Sequence, residues 1–546
     1  MHRLASCLLA VTVASCGPST EGPLDDFPDK GDLPACELPR EAVADAIEHA
    51  DSAAALLTQL LAVSMCDGSV GQEAEGLVID MIAELDARGA LAPTVKLLAD
   101  AALARGAIPQ SLAPKLPEMI DQLVGMVDAE LCARGRTPAC AGNVYVPWPE
   151  LAAENLAAVR ASSSRLGDAS FVGELEALSQ QPFVSGNAVD VLVDGEASFA
   201  RRDQLIANAA RSIDLLTWAI YDDTTGWDTA HQLVARAQAG VAVHVIVDGQ
   251  VSERDGYGAV DAYLEQYGIP VIRFRDPLRR YDGNHRKLLV VDGVHAIAGG
   301  MNIGDWYSHR GPAGTPKWRD TDVALEGAAV ADASRVFAQL WNSQVDANQL
   351  ALPHLVPSGP PPAAGTARVA VTDHVAGSDA TIQRATLKAI EGATTRIDLE
   401  PAYFIATPDI HDALMAALAR GVEVRLLTNS SESIDEAIMS TPILESLPEL
   451  LDAGAQVFTK RGDTLHSKFM TVDGLYSWVG SYNLHPRSQR YEGELAIQVL
   501  DADFARRLDA AFEADLAAAQ RVTRDSLVVP TSAFTFLAAR YFYDQL

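Results

Sequence analysis

The chain has 546 residues, 48% of them hydrophobic, a length and composition that allow for about three ordinary folded domains. Acidic residues outnumber basic ones 73 to 42, for a net charge of −31. That balance argues against broad electrostatic capture of DNA or RNA, whose affinity comes largely from phosphate neutralisation, and leaves room only for a local basic pocket.

The chain opens MHRLASCLLAVTVASCGPST. Arg3 gives a short positive region, and Leu4–Val13 is an apolar run well short of the roughly 20 residues a membrane-spanning helix needs. Residues 1–15 therefore read as an export signal rather than as folded structure. Val13-Ala14-Ser15-Cys16 resembles the lipobox of bacterial lipoproteins. The resemblance implies cleavage before Cys16, lipidation of Cys16 and attachment to a membrane through that lipid. Gly17 rather than aspartate follows the cysteine, which resembles the outer-membrane sorting pattern. The expected location is the bacterial cell envelope, as an exported lipoprotein anchored in the outer membrane. Residues 16–35 are rich in Gly, Pro, Asp and Ser and read as a flexible tether.

Residues 36–145 form a helical domain by pattern: Leu56, Leu57, Leu60 and Leu61 recur at helical spacing, as do Leu77, Val78, Met81, Ile82 and Leu85. This domain carries Cys36, Cys66, Cys132 and Cys140. In an exported chain an even count suggests disulfides, and three pairings can be drawn. Cys132–Cys140 would close a short loop, with Cys36–Cys66 as its companion. Neither a CxxC nor a histidine at ligand spacing supports a zinc site. His49 stands alone on one of these helices and reads as a solvated surface residue.

Gly- and Pro-rich residues 134–149 link to a further helical stretch that runs to about Leu178. Strands and helices then alternate through 180–350: strand Val189–Leu192, helix Arg202–Ala210, strand Ser212–Tyr221, helix Thr229–Ala239 ending at Gly240, and strand Val241–Val247. A Pro-rich connector, 351–366, precedes a second α/β series over 367–546. In it Arg396-Ile397-Asp398-Leu399 echoes Ser212-Ile213-Asp214-Leu215, and Gly421 follows Gly240 at a separation of 421 − 240 = 181. The fold class is α/β: two tandem βαβ halves, related by pseudo-twofold symmetry, behind an all-α domain. The apolar tail Phe534–Leu546 reads as a packing helix.

The same separation links the residues that carry chemistry. NHRKLLVVDGVHAIAGGMN (Asn284–Asn302) returns as LHSKFMTVDGLYSWVGSYN (Leu465–Asn483), and His285 with His466, Lys287 with Lys468, Asp292 with Asp473 and Asn302 with Asn483 are each 181 apart. Two imidazoles can divide acid–base work, one attacking an electrophile and one donating a proton to the leaving oxygen. Two adjacent lysines suit an anionic electrophile, and a phosphodiester needs such donors as charge builds on its oxygens. Lys287, Lys468, Asn302 and Asn483 can serve there. Asp292 and Asp473 each precede a glycine at a strand end and suit a structural role. No cofactor or metal is expected. Trp218, Tyr221, Trp306, Trp318 and Tyr403 read as core packing, some of them with a share in lining an acyl or headgroup pocket.

The doubled HxKxxxxD pattern, each copy followed by a glycine turn and an asparagine, resembles the phospholipase D superfamily. GGMNIGDWY, WRDTDVALEG (Trp318–Gly327) and GSYNLHPRS (Gly480–Ser488) are similar to its cardiolipin synthase branch, over roughly Val189–Leu516. The resemblance implies one active site made by both motifs, with a phosphohistidine formed at His285 and His466 as acid and base. It also implies a carboxylate beyond each motif that orients a histidine; Asp320 and Glu494 match by position, with Glu492 a near alternative. The implied substrate is a phospholipid, and the group is passed to water or to an alcohol by a monomeric catalytic unit. Asp322 stands where cardiolipin synthases commonly have His. A nucleic-acid phosphodiesterase of the same superfamily, disfavoured by charge, and a surface lipoprotein that mainly binds a partner are the other readings.

Overall fold

The computed structural model describes residues 146–528, apart from 254–256, 280–281, 378–379 and 437–438, together with Pro93, Lys96, Leu131, Cys132, Arg134 and Gly135. The chain divides into two compact units, Met1–Tyr145 with Val529–Leu546, and Val146–Val528. Of the first unit, Cys132 is disulfide-bonded. Cys16, Cys36, Cys66, Cys140, His49, the tether and the tail Phe534–Leu546 lie outside the described residues.

The second unit is built on one mixed sheet. Its strands are β1 Val184–Val193, β2 Ser212–Leu216, β3 Ala242–Asp248, β4 Val271–Phe274, β5 Gly283–Asn284, β6 Leu288–Val291, β7 His295–Gly299, β8 Thr321–Gly327, β9 Ala367–His374, β10 Arg396–Pro401, β11 Glu423–Thr428, β12 Gln456–Lys460, β13 Lys468–Val472, β14 Tyr476–Gly480, β15 Glu492–Leu500 and β16 Ala519–Val522. The spatial order is β16-β12-β11-β10-β13-β14-β15-β9-β1-β8-β7-β6-β2-β3-β4. Read outward from the β1–β9 seam the two halves match strand for strand, with β16 an addition at one edge. In each half the outer strands are parallel βαβ pairs and the inner ones antiparallel hairpins. The seam itself is antiparallel, pairing Val184 with Val369 and Asn187 with Ala367 across a bulge.

Alternation along β6 assigns its residues to two cores. Leu288 and Val290 face a core shared by both halves, which also takes in Phe469, Val479, Leu495 and Ile497. Leu289 and Val291 face the other side, against Phe199, Leu205 and Leu233 of helices Asp194–Asn208 and Thr224–Gln238. The halves are thus continuous at one sheet edge and also face each other across a common core. The 351–366 connector is a packed strap without secondary structure: Trp341 Nε1 donates to Pro353 O at 3.0 Å and Asn342 Nδ2 to Leu355 O at 2.9 Å.

Several boundaries differ from the sequence-based expectation: β1 and helix Thr224–Gln238 each begin five residues before the expected Val189 and Thr229, and three further differences bear on packing and the site. Helix Asp194–Asn208 begins eight residues before Arg202, because Gly195 acts as a packing residue there rather than a breaker; a Cβ on it would lie 1.9 Å from Tyr307 O. Strand β2 stops at Leu216; Thr217 and Trp218 remain bonded to β3, through Thr217 N to Ile246 O at 3.0 Å and Asp248 N to Trp218 O at 3.1 Å, and Trp218 meets the His285 ring edge-on. The helical stretch before Leu178 resolves into Trp148–Arg160 and Phe171–Ser179, and these pack on the second half. Asn155 Nδ2 donates to Asp409 at 2.8 Å, and buried Lys388 pairs with Glu174 at 2.7 Å. No helix among the described residues is long and apolar enough to cross a membrane.

Candidate active site

Each motif loop ends in a tight hairpin that fixes its aspartate. Asp292 and Gly293 both have positive φ, 55° and 65°, and Val294 N donates to Val291 O at 3.1 Å. This is the mirror-image turn that Asp-Gly favours. The Asp292 carboxylate then accepts from the backbone N–H groups of Ala210, Arg211 and Ser212, at 2.9, 2.6 and 3.0 Å. Asp473 does the same for Thr394, Thr395 and Arg396 and also takes both threonine hydroxyls. Burial opposes ionisation of both aspartates, but these donors outweigh it and hold each below its usual pKa. Neither aspartate bonds to His285 or His466; both tie a hairpin to the start of a neighbouring strand.

The histidines are placed by the opposite half. His285 N donates to Gly493 O at 2.8 Å, and Gly283–Asn284 pairs in parallel with Glu492–Gly493 of β15. His466 N donates to Arg319 O at 2.7 Å, and Arg319 N to Thr464 O at 2.9 Å. Each motif loop is therefore stitched to the strand that carries the other half's carboxylate. The side chains follow: His285 Nδ1 lies 3.1 Å from both oxygens of Glu494, and His466 Nδ1 lies 2.8 Å from Asp320 Oδ2. Glu492 is farther from His285, at 4.0 Å, and is paired with Arg487 at 2.9 Å. The 181-residue spacing reappears one layer out. Asp248 accepts from Asn284 N at 2.7 Å, and Asn429, at the equivalent position, accepts from Leu465 N at 3.0 Å. Neither residue stands out in the sequence: Asp248 is a lone acid at a strand end, and Asn429 lies in the polar run Thr428–Ser431.

The glycine turns are shaped by the carboxylates. A Cβ on Gly300 would lie 2.1 Å from Asp320 Oδ1, so only glycine leaves that aspartate room. The equivalent residue in the second half is Ser481, whose hydroxyl donates to Glu494 Oε2, while Ser488 Oγ donates to Oε1 at 2.6 Å. Asn302 is held between Tyr307 Oη, at 3.0 Å, and Thr217 Oγ1, at 3.3 Å. Asn483 is buried, and its Oδ1 has no hydrogen-bond partner among the described residues. Asp322 is a structural ion pair, bonded to Arg202 at 2.8 Å and to Ser198 at 2.5 Å.

Electrostatically the site is a buried charge cluster. Burial and the neighbouring lysines hold both histidines well below the usual imidazole pKa, so both rings are neutral in the free protein at neutral pH. Burial lowers Lys287 to about 7 and Lys468 to about 8. It raises Asp320 to about 6 and raises Glu494 as well. Lys287 Nζ donates to His285 O at 2.7 Å, and Lys468 Nζ to His466 O. Lys468 Nζ is also 2.9 Å from His466 Nδ1, an atom that cannot both accept from it and donate to Asp320. The carboxylate is the stronger partner for the ring N–H, so Nδ1 carries the proton and Nε2 the lone pair.

His285, Glu492 and Glu494 offer ligand atoms within 4.8 Å of one another. Both oxygens of Glu494, however, already accept from a serine hydroxyl and from His285 Nδ1, the pattern of an orienting carboxylate. Aromatic rings enclose the other histidine. Trp318 stacks on His466 at 5.4 Å, Tyr307 meets it edge-on at 5.1 Å, and half-exposed Trp306 stacks outside Trp318 at 5.0 Å. Tyr403 touches His466 at 6.4 Å and donates to Asp435 at 2.7 Å; Trp218 lies edge-on to His285 at 6.4 Å.

The family described as cardiolipin synthase, PLD-like domain, matches residues 203–341 and 386–516. The chain is 32% identical over 358 residues to cardiolipin synthase A of Pseudomonas entomophila, covering 64% of this chain and 72% of that protein. It is 31% identical over 353 residues to cardiolipin synthase A of Pseudomonas syringae pv. syringae, covering 63% and 72%. Among solved structures, the phosphatidylserine synthase of Haemophilus influenzae superposes with a TM-score of 0.55 at 16% identity, covering 68% of this chain and 98% of that one, a likeness of fold. The chain belongs to the phospholipase D superfamily, in its cardiolipin synthase branch, and is an enzyme of the phosphodiesterase and phosphatidyltransferase kind.

Proposed function

We propose that the protein transfers a phosphatidyl group from a phospholipid by a two-step route through His285. The observation that carries this reading is the crossed pair His285–Glu494 and His466–Asp320: each carboxylate holds an Nδ1–H and leaves an Nε2 lone pair. In the first step His285 Nε2 attacks phosphorus, the bond to the headgroup oxygen breaks, and protonated His466 gives its proton to that oxygen. In the second, neutral His466 takes a proton from water or an acceptor alcohol, whose oxygen attacks phosphorus and displaces His285. His466 is neutral in the free protein, so it must gain its proton as the anionic substrate arrives; a phosphodiester charge beside it favours the imidazolium. The same charge raises Lys287 and Lys468 and keeps them protonated on the non-bridging oxygens. Asn302 and Asn483 are proposed to contact the substrate, and Asp292 and Asp473 to serve the fold.

The Cys16 lipid anchor, an outer-membrane location and a helical, disulfide-bearing spacer over 36–145 complete the proposal. An anchor would keep the site at a bilayer, where its substrate is. The decisive experiment incubates the full chain with phosphatidylglycerol, phosphatidylcholine and plasmid DNA, with and without glycerol. Lipid products, with a new glycerol adduct when glycerol is present, are expected. Cleavage of DNA alone would overturn the lipid reading, and full activity of His285→Ala and His466→Ala variants would overturn the mechanism.

A further inference from the structure

The site contains a third imidazole that the motif chemistry does not use. His485 is only 5% exposed and begins the short helix Pro486–Arg490. Its Nδ1 accepts from Ser488 N at 3.0 Å. A backbone N–H can only donate, so Nδ1 carries the lone pair and the ring proton sits on Nε2. Nε2 makes no hydrogen bond to a described residue and is not sealed from its surroundings. This tautomer is the reverse of the one set for His285 and His466, whose Nδ1 atoms donate to carboxylates.

Its ring belongs to the same buried cluster, close enough to Glu492, Glu494 and His285 for their charges to act on it. Tyr403 lies between two of the rings, 6.1 Å from His485 and 6.4 Å from His466. Ser488, which His485 caps, also donates to Glu494, the carboxylate on His285. Burial lowers His485 to about 4, so the ring stays neutral through the physiological range and its Nε2–H is a fixed donor rather than a base. A ring so tied can neither attack phosphorus nor shuttle a proton, but it can offer a preorganised hydrogen bond to an oxygen on which charge develops.

We infer that His485 Nε2–H donates to a non-bridging phosphoryl oxygen in the transition state, as a neutral partner to the two lysines. This rests on the phosphodiester chemistry proposed above. The alternative is that His485 only caps its helix, and the two are separable by chemistry. Asparagine and aspartate are good N-caps, so His485→Asn and His485→Asp keep an acceptor for Ser488 N while removing the imidazole N–H. The expected result is wild-type thermal stability for His485→Asn with kcat lowered by roughly 10²-fold, the order found on removing one such donor, and KM nearly unchanged. The loss should be equal for phosphatidylglycerol and phosphatidylcholine. Wild-type kcat in His485→Asn and His485→Asp would overturn the inference, and so would a loss confined to one headgroup. A wild-type enzyme with no His285-dependent turnover of either lipid would instead overturn the proposed function, so the two failures read differently.

Discussion

Replacing Glu494 by glutamine tests the crossed geometry most directly. The carboxylate is fully buried, and each oxygen accepts from His285 Nδ1 at 3.1 Å and from one serine hydroxyl. Glutamine preserves shape but turns one acceptor into an NH₂ group that faces a donor, and it removes the charge. At about 4 Å and an effective dielectric constant near 20, a unit charge is worth about 4 kcal/mol to the positive charge that builds on His285 as it bonds to phosphorus. That corresponds to roughly a 10³-fold loss in the step that forms the phospho-enzyme. The assay is rapid-quench trapping of labelled phospho-enzyme from a radiolabelled phospholipid. Slow formation is expected, with circular dichroism and KM close to wild type. A loss below about tenfold, or one expressed wholly in KM, would refute the assignment of Glu494 to His285.

Asp320→Asn should impair His466 instead, so its defect should be relieved by a substrate whose leaving group needs no proton, such as a nitrophenyl phosphodiester; equal defects on both substrates would count against the pairing. The pH profile of kcat/KM should fall on its alkaline side between about 7 and 8, where Lys287 and Lys468 lose their protons in the free enzyme, while that of kcat holds to higher pH because bound phosphodiester raises both; identical limbs would contradict this. Gly300→Ala places a Cβ 2.1 Å from Asp320 Oδ1 and should lower kcat at least tenfold with the fold retained by near-ultraviolet circular dichroism; an unaffected kcat would show that the contact relaxes freely. Asp473→Ala leaves three backbone N–H groups and two hydroxyls without their acceptor. It should cost about 1–3 kcal/mol or more in chemical denaturation, with the specific activity of the folded fraction preserved. Activity should also survive EDTA, and its loss would revive a metal at His285, Glu492 and Glu494.

The duplicated α/β architecture was legible in the chain because the 181-residue repeat preserves both the strand pattern and the turn chemistry, and Asp-Gly after an apolar strand is a strong local instruction. The pairing of histidine with carboxylate was not legible. Asp320 and Glu494 could be picked out only by resemblance, and nothing local says that each serves the other half's ring, because backbone pairing of Asn284 with Gly493 and of Leu465 with Arg319 imposes it. Gly195 and Gly300 illustrate the same limit. Both look like backbone punctuation, whereas each is a contact made with a residue far along the chain. His485 lay within a quoted motif but carried no distinguishing pattern, because its role depends on which ring nitrogen meets Ser488 N.

The stitching of each motif loop to the opposite carboxylate strand has an evolutionary consequence. A lesion in one half registers as a defect at the other half's histidine, so the two copies cannot drift apart as independent genes would. A substitution at Asp320 is judged by selection through His466, and one at Glu494 through His285. One half by itself would hold its histidine without the carboxylate that orients it, so it would be competent only beside a second copy. Within that constraint the halves still differ, in Gly300 against Ser481 and in Asp248 against Asn429.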